Sequence, residues 1–263
     1  MKPGVETVYG VHAVRALLLR RPERVLRLRL AAGRDDPRIR ELVELASRHG
    51  LAAERVQPRE FESLRDAVHQ GVMAEIAGLA PWSEDDLLAA LGGAIRPLVL
   101  ALDGVQDPHN LGACLRTADA CAALALVVPK DRAAQLTAAV KKVAAGAAET
   151  TPVVTVTNLV RCLALLKHAG LWIVGADLQA QARAQDVDLT AGTVLVLGGE
   201  GGGLRRLTRA NCDYLVRLPQ LGAVESLNVS VAAGMLLYEA VRQRGASSVE
   251  TAPGRAAPAY PTP

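Results

Sequence analysis

Aromatic residues are scarce in this chain. One Phe, two Trp and four Tyr make up 3% of 263 residues. Half the residues are hydrophobic, so Leu, Val and Ala must fill the core. Phe61 is the sole phenylalanine, and a sheet that reads nucleic acid by stacking bases on aromatic rings is not expected. Cys114, Cys121, Cys162 and Cys212 are scattered without a CxxC pair. That pattern argues against a zinc site or a disulfide framework and for reduced thiols. No metal cluster is legible, and no metal is expected. No apolar run approaches the ~18 residues of a membrane span. The opening residues, Met1-Lys-Pro-Gly-Val-Glu6, contain no apolar targeting segment, so the expected location is the cytoplasm. The GxGxxG fingerprint is missing, as is the Gly-Lys-Ser/Thr of a phosphate-binding loop. A Rossmann-type oxidoreductase or an NTPase is therefore disfavoured.

The net charge is only +3, but its distribution is uneven. Residues 1–76 hold 14 Lys/Arg against 11 Asp/Glu, and residues 77–263 hold 16 of each. The whole excess lies in the first part of the chain, which points to an anionic partner such as nucleic acid or, equally well, to a solvated basic surface with no partner.

Periodicity divides the chain into two α/β units. Residues 1–76 read as a small α/β domain. Its pattern predicts a helix over 7–21, a strand over Val25–Leu30 and a helix over 37–49. A strand over 51–56, a helix over 58–68 and a strand over 72–76 follow. Arg27 and Arg29 share one face of the first strand. Residues 77–96 read as a linker, with a short helix after Ser83. Residues 97–245 read as strands near-continuous in apolar residues, separated by helices. That pattern implies a parallel sheet covered on both faces. Helices are predicted over 110–123, 132–147, 158–168 and 228–244, and strands over 98–102, 124–128, 153–156, 171–176, 194–197 and 214–218. Residues 246–263, rich in Ala, Pro and Thr, read as a disordered tail.

Three polar stretches sit at strand ends in this second unit. The first is Asp103-Gly-Val-Gln-Asp-Pro-His-Asn-Leu-Gly-Ala-Cys-Leu-Arg116. Asn110 offers both donor and acceptor, and Arg116 offers a fork suited to phosphate. The second is Gly198-Gly-Glu-Gly-Gly-Gly203, five glycines around Glu200. Such a loop leaves backbone N–H groups accessible and suits an adenine-containing ligand held by backbone atoms. The third is Glu225-Ser-Leu-Asn-Val-Ser230, where a loop turns into a helix. Ser226 and Asn228 would serve equally well as ordinary helix caps. Three such corners at strand ends suggest one cleft at the carboxyl edge of a sheet.

These three stretches, in this order over residues 97–244, resemble the motifs of the SpoU/TrmH-type ribose 2′-O-methyltransferases of the SPOUT class. Val8-Tyr-Gly-Val-His-Ala-Val14 and His69-Gln-Gly-Val72 are similar to the subgroup that methylates a guanosine of bacterial 23S rRNA. The resemblance implies a deep trefoil knot in the second unit and a ribosomal-protein-like, RNA-binding first unit. It implies S-adenosylmethionine held at Gly198, Gly199, Leu218 and Leu227, and a homodimer packed through the last helix. Asn110, Arg116, Glu200, Ser226 and Asn228 are the catalytic residues it implies, with Arg116 holding the ribose-phosphate. Arg27 and Arg29 are the expected RNA contacts. Glu225 stands where a small residue is common, and Gly199 where a serine is frequent. A tRNA or an rRNA adenosine is the competing substrate, and a non-catalytic RNA-binding protein the competing class.

Overall fold

The computed structural model describes residues 5–64, 69–77, 82–224 and 226–249. The first unit is a four-stranded sheet with two helices against one face. Its elements are β1 (Val5–Tyr9), α1 (Val11–Arg20), β2 (Val25–Ala31), α2 (Pro37–Arg48), β3 (Ala53–Val56) and β4 (Val72–Ala77). The strand order is β1-β4-β2-β3. β4 runs antiparallel to both neighbours, and β3 runs parallel to β2. Val14, Leu17 and Leu18 of α1 and Ile39 and Leu42 of α2 bury against Leu28, Leu30 and Ile76. Each such side chain stabilises the unit by about 1.5–3 kcal/mol.

The helix expected over 7–21 begins only at Val11. Val5, Thr7 and Tyr9 are residues that favour strands, and Val5–Tyr9 pairs along β4 from Ala77 to Met73. Gly10 then turns the chain at φ 93, a conformation that excludes most side chains. Pro58–Leu64 is 3₁₀-helical rather than α-helical; residues 65–68 of the helix expected there lie outside the described residues. The short helix expected after Ser83 in the linker is α3 (Glu84–Leu91), started by a capping box in which Ser83 Oγ accepts the Asp86 N–H at 3.1 Å.

The second unit is a seven-stranded sheet. Its elements are β5 (Leu98–Asp103), α4 (Pro108–Ala120), β6 (Ala125–Pro129), α5 (Ala138–Ala144) and β7 (Val153–Val156). They continue with α6 (Leu159–His168), β8 (Trp172–Ala176), β9 (Ala182–Arg183), β10 (Thr193–Gly198), α7 (Arg206–Asn211), β11 (Tyr214–Arg217) and α8 (Val229–Val249). The order is β7-β6-β5-β10-β8-β11-β9, and every pairing is parallel. Alternation along β5 explains the two layers. Leu98, Leu100 and Leu102 face Leu111, Leu115, Val140, Leu236 and Leu237. Val99 and Ala101 face Leu87, Leu163 and Leu166.

The helix expected over 132–147 is only α5. A turn with Arg132 at φ 56 precedes it, the Thr137 side chain caps it, and Ala145 at φ 51 ends it. The short strand β9 and helix α7 had no periodic signal. α8 continues to Val249, so Ala246–Val249 belong to a helix rather than to a tail; residues 250–263 lie outside the described residues. Among the described residues no helix is long and apolar enough to cross a membrane.

The two units touch. Arg24 and Glu149, both buried, pair at 3.2 Å, and Arg24 also donates to the Glu149 and Ala77 carbonyls. Lys141 links Glu6 at 2.5 Å with Glu149 at 3.7 Å. Gly146 lies flat against the first unit: a Cβ there would stand 3.1 Å from Ala13 Cα.

Candidate active site

β5 and β10 are central neighbours, and they end together, with Gly198 in register with Asp103. The Gly199 N–H donates to the Asp103 carbonyl at 3.0 Å, which ties the first polar stretch to the glycine loop. That loop folds tightly on itself through Gly203 N–H to the Gly199 carbonyl at 3.2 Å. A Cβ on Gly198 would lie 1.9 Å from the Gly203 carbonyl carbon, so no other residue fits without moving the backbone. A Cβ on Gly199 would lie 2.5 Å from the Gly104 carbonyl oxygen, so a serine there needs a shifted loop.

At the start of α4, Asp107 caps the helix by accepting the His109 N–H at 2.8 Å, and Pro108 occupies the first turn. The expectation that Asn110 opens the helix is therefore off by one turn. Its amide is free for other work: Nδ2 donates to Glu200 Oε1, and Oδ1 accepts from Asn228 Nδ2 at 2.9 Å. Asn110 is only 7% exposed, so these bonds satisfy a buried amide that would otherwise cost about 1–3 kcal/mol. Asn228 has two roles. Its Oδ1 accepts from Ser230 N–H at 2.8 Å and from Ser230 Oγ at 2.6 Å, and so starts α8, while its Nδ2 reaches across to α4. The capping role and the site role belong to one side chain.

Beside this trio lies a cavity of about 480 Å³. Gly198, Gly199, Leu218, Ser226 and Leu227 line it, together with Glu200 and Asn228. All four expected cofactor contacts thus border one space. Asp177, at the end of β8, also lines it and was missed; its carboxylate pairs with Arg209 at 2.6 Å. An acidic residue ending an apolar strand was the available signal, the same one that marks Asp103.

Other expected residues lie elsewhere. Arg116 is exposed and lies outside the cavity, two turns along α4 on the stripe that begins with His109. Arg29 pairs with Glu75 at 3.1 Å and Glu54 at 3.5 Å, and Arg27 stands 4.0 Å from Glu75. Burial pushes the thiols of Cys114, Cys162 and Cys212 up to about 12, which leaves them protonated and unreactive. Among the described residues no group of three or more His, Cys, Asp or Glu could hold a metal ion.

A parallel α/β sheet whose carboxyl edge gathers these three motifs defines a class. Residues 97–238 match the SpoU rRNA Methylase family, and residues 7–82 match the RNA 2′-O ribose methyltransferase substrate binding family. The chain belongs to the SpoU rRNA methylase family. It is 54% identical over 245 residues to the 23S rRNA (guanosine-2′-O-)-methyltransferase RlmB of Pseudomonas syringae, covering 92% of this chain and 97% of that one. Its identity to the protein of the same name from Escherichia coli is 46% over 240 residues, 91% of this chain and 99% of the other. Among solved structures, the SpoU methyltransferase AviRb of Streptomyces viridochromogenes, in complex with AdoMet, aligns with a TM-score of 0.69 at 27% identity. That alignment covers 92% of this chain and 91% of AviRb.

Proposed function

We propose that the protein methylates the 2′-hydroxyl of a ribose in RNA, that its methyl donor is S-adenosylmethionine, and that its target is a guanosine of 23S rRNA. The observation that carries this reading is the Asn110–Glu200–Asn228 trio at the edge of a cavity walled by the glycine loop. The relatives' names supply the substrate, and AviRb's complex supports the donor.

The cavity fits such a donor. One wall is glycine backbone, where a single added Cβ at Gly198 would overlap the chain, and the leucines Leu218 and Leu227 flank it. That lining suits an adenosine held by main-chain groups. When bound, S-adenosylmethionine supplies a methyl group made electrophilic by its sulfonium. The chain's own residues then have three tasks. Asn110, Glu200 and Asn228 fix the relative positions of three loops, so that the ribose oxygen is aligned with the methyl; such alignment is a large part of the rate. Ser226 contributes a hydroxyl to the cavity wall. Arg116 holds the ribose-phosphate. A guanidinium does not give up its proton near neutral pH, so it favours loss of the hydroxyl proton by charge, with the phosphate assisting.

The same reading includes a trefoil knot in the second unit and a ribosomal-protein-like RNA-binding role for the first, with Arg27 and Arg29 as contacts. It also includes a cytoplasmic homodimer. Val231, Met235, Tyr238 and Val241 form an apolar stripe along α8, each 39–66% exposed, and this face suits a second copy. α4 packs on α8, so the dimer would bring Arg116 close to the partner copy. The test is methylation of 23S rRNA and tRNA transcripts with labelled donor, followed by mapping of the modified ribose. One methylated guanosine in 23S rRNA is expected. Modification of tRNA alone, or of an adenosine, would overturn the substrate; no methylation with intact donor binding would overturn the activity.

A further inference from the structure

A second cleft opens at the carboxyl edge of the same sheet, on the opposite side of the Asp103–Gly104 crossing from the donor cavity. It has a volume of about 610 Å³. The ends of β6 and β7 and the start of α7 border it, and its charged residues are Arg132, Arg205, Arg206, Asp103 and Asp131. None of these arginines belongs to the catalytic set above. Ligands in open α/β sheets bind at this edge.

The arginines differ in how they are held. The Arg205 N–H donates to Asp103 Oδ2 at 2.9 Å, and its guanidinium lies 3.5 Å from Asp103 Oδ1. That guanidinium also covers Gly104, where a Cβ would stand 2.9 Å from it. Arg205 is therefore spoken for by the loop that leads to Asn110. Arg132 and Arg206 are exposed and have no carboxylate partner among the described residues. Arg132 sits at φ 56, a left-handed backbone that a non-glycine residue adopts at some cost and that recurs at functional positions. Asn158, Leu159 and Val160, at the start of the ten-residue helix α6, form part of the wall and add the partial positive charge of a helix N-terminus. Asp131, exposed and without an ion pair among the described residues, works against this field. Three arginines still outnumber two aspartates.

We infer that this cleft takes a backbone phosphate of the RNA strand, next to the nucleotide being modified, with Arg132 and Arg206 as its donors. The geometry favours this because the walls of the two spaces are bonded to each other. The Asp103 carbonyl that holds Gly199 belongs to the residue whose carboxylate holds Arg205. The inference rests on the RNA-methylation reading, but its measurement does not require turnover.

The test is the salt dependence of binding of full-length protein to a 23S rRNA transcript, for wild type, Arg132→Ala/Arg206→Ala and Asp131→Asn. Removing both donors of this one phosphate should lower the slope of log affinity against log salt by about one and weaken binding about tenfold or more, with donor affinity unchanged. Arg132→Lys/Arg206→Lys should restore the slope, because a phosphate accepts either cation. Asp131→Asn should tighten binding, and it tests the cleft even if the alanine variant fails to fold. In turnover, KM for RNA should rise while kcat holds. An unchanged slope in a folded alanine variant, or no gain from Asp131→Asn, would overturn the cleft. If wild type binds the transcript with these slopes yet methylates nothing, the function reading fails and the cleft stands.

Discussion

The two ends of the molecule handle charge differently. In the first unit several arginines are matched to carboxylates, one of them across to the second unit. Arg15 pairs with Glu41, Arg24 with Glu149, Arg29 with Glu54 and Glu75, and Arg34 with Asp36. At the carboxyl edge of the large sheet, two amides and the Glu200 carboxylate hold the site together, and Arg116, Arg132 and Arg206 remain exposed beside it. The formal excess of +3 lies wholly in the first unit, yet arginines without carboxylate partners stand at the second. A count of charges along a chain locates residues, not available field. What remains for an anionic partner depends on which guanidinium groups the fold has already committed.

The largest effect that would sharpen this contrast is at Arg24. Arg24→Ala leaves Glu149 charged and buried, and should cost about 3–5 kcal/mol in denaturant unfolding. Arg24→Met with Glu149→Leu should recover most of it, because both desolvation penalties vanish. If the single variant unfolds like wild type, charge in the first unit is not structural.

Next is the Asn110–Glu200–Asn228 trio. Asn110→Ala should lower kcat by about 100-fold through misplacement of the loops, with a stability loss of about 1–3 kcal/mol. Native turnover in this variant would remove the trio from the mechanism.

The direct comparison of the two basic surfaces follows. Arg132→Ala/Arg206→Ala should reduce the salt slope for 23S rRNA by about one. Arg27→Ala/Arg29→Ala should reduce it by less, because Arg29 is already neutralised by two glutamates. Equal reductions would erase the difference between the two surfaces. The smallest effect concerns thiols. With their pKa pushed up to about 12, Cys114, Cys162 and Cys212 are neutral below that value and become thiolates only above it. At pH 8 the thiolate fraction is about one in ten thousand. Native protein should resist alkylation there, and unfolding in denaturant should expose all three.

Much of this arrangement could be read in advance, and particular residues show why. β5 is legible because Leu98–Leu102 is apolar throughout, as a strand buried on both faces must be. Asn228 was legible both as a cap and as a site residue because one local position supports both. β1 was not legible: Val5, Thr7 and Tyr9 run directly into a helical repeat, and only pairing with β4, more than sixty residues later, makes them a strand. Arg132 was assigned to a helix because its neighbours are good helix formers; the left-handed turn that places it in the cleft has no periodicity.

By itself the sequence determined the parallel α/β class, the three polar corners and the family they signal, because these depend on local patterns of side-chain type. Only the tertiary structure decided that Asn110, Glu200 and Asn228 meet, that Arg24 is buried against Glu149, and which arginines remain unpaired. Each of those facts is a contact between residues tens of positions or more apart. A hydrogen bond or ion pair forms by distance in space, and chain order does not encode that distance.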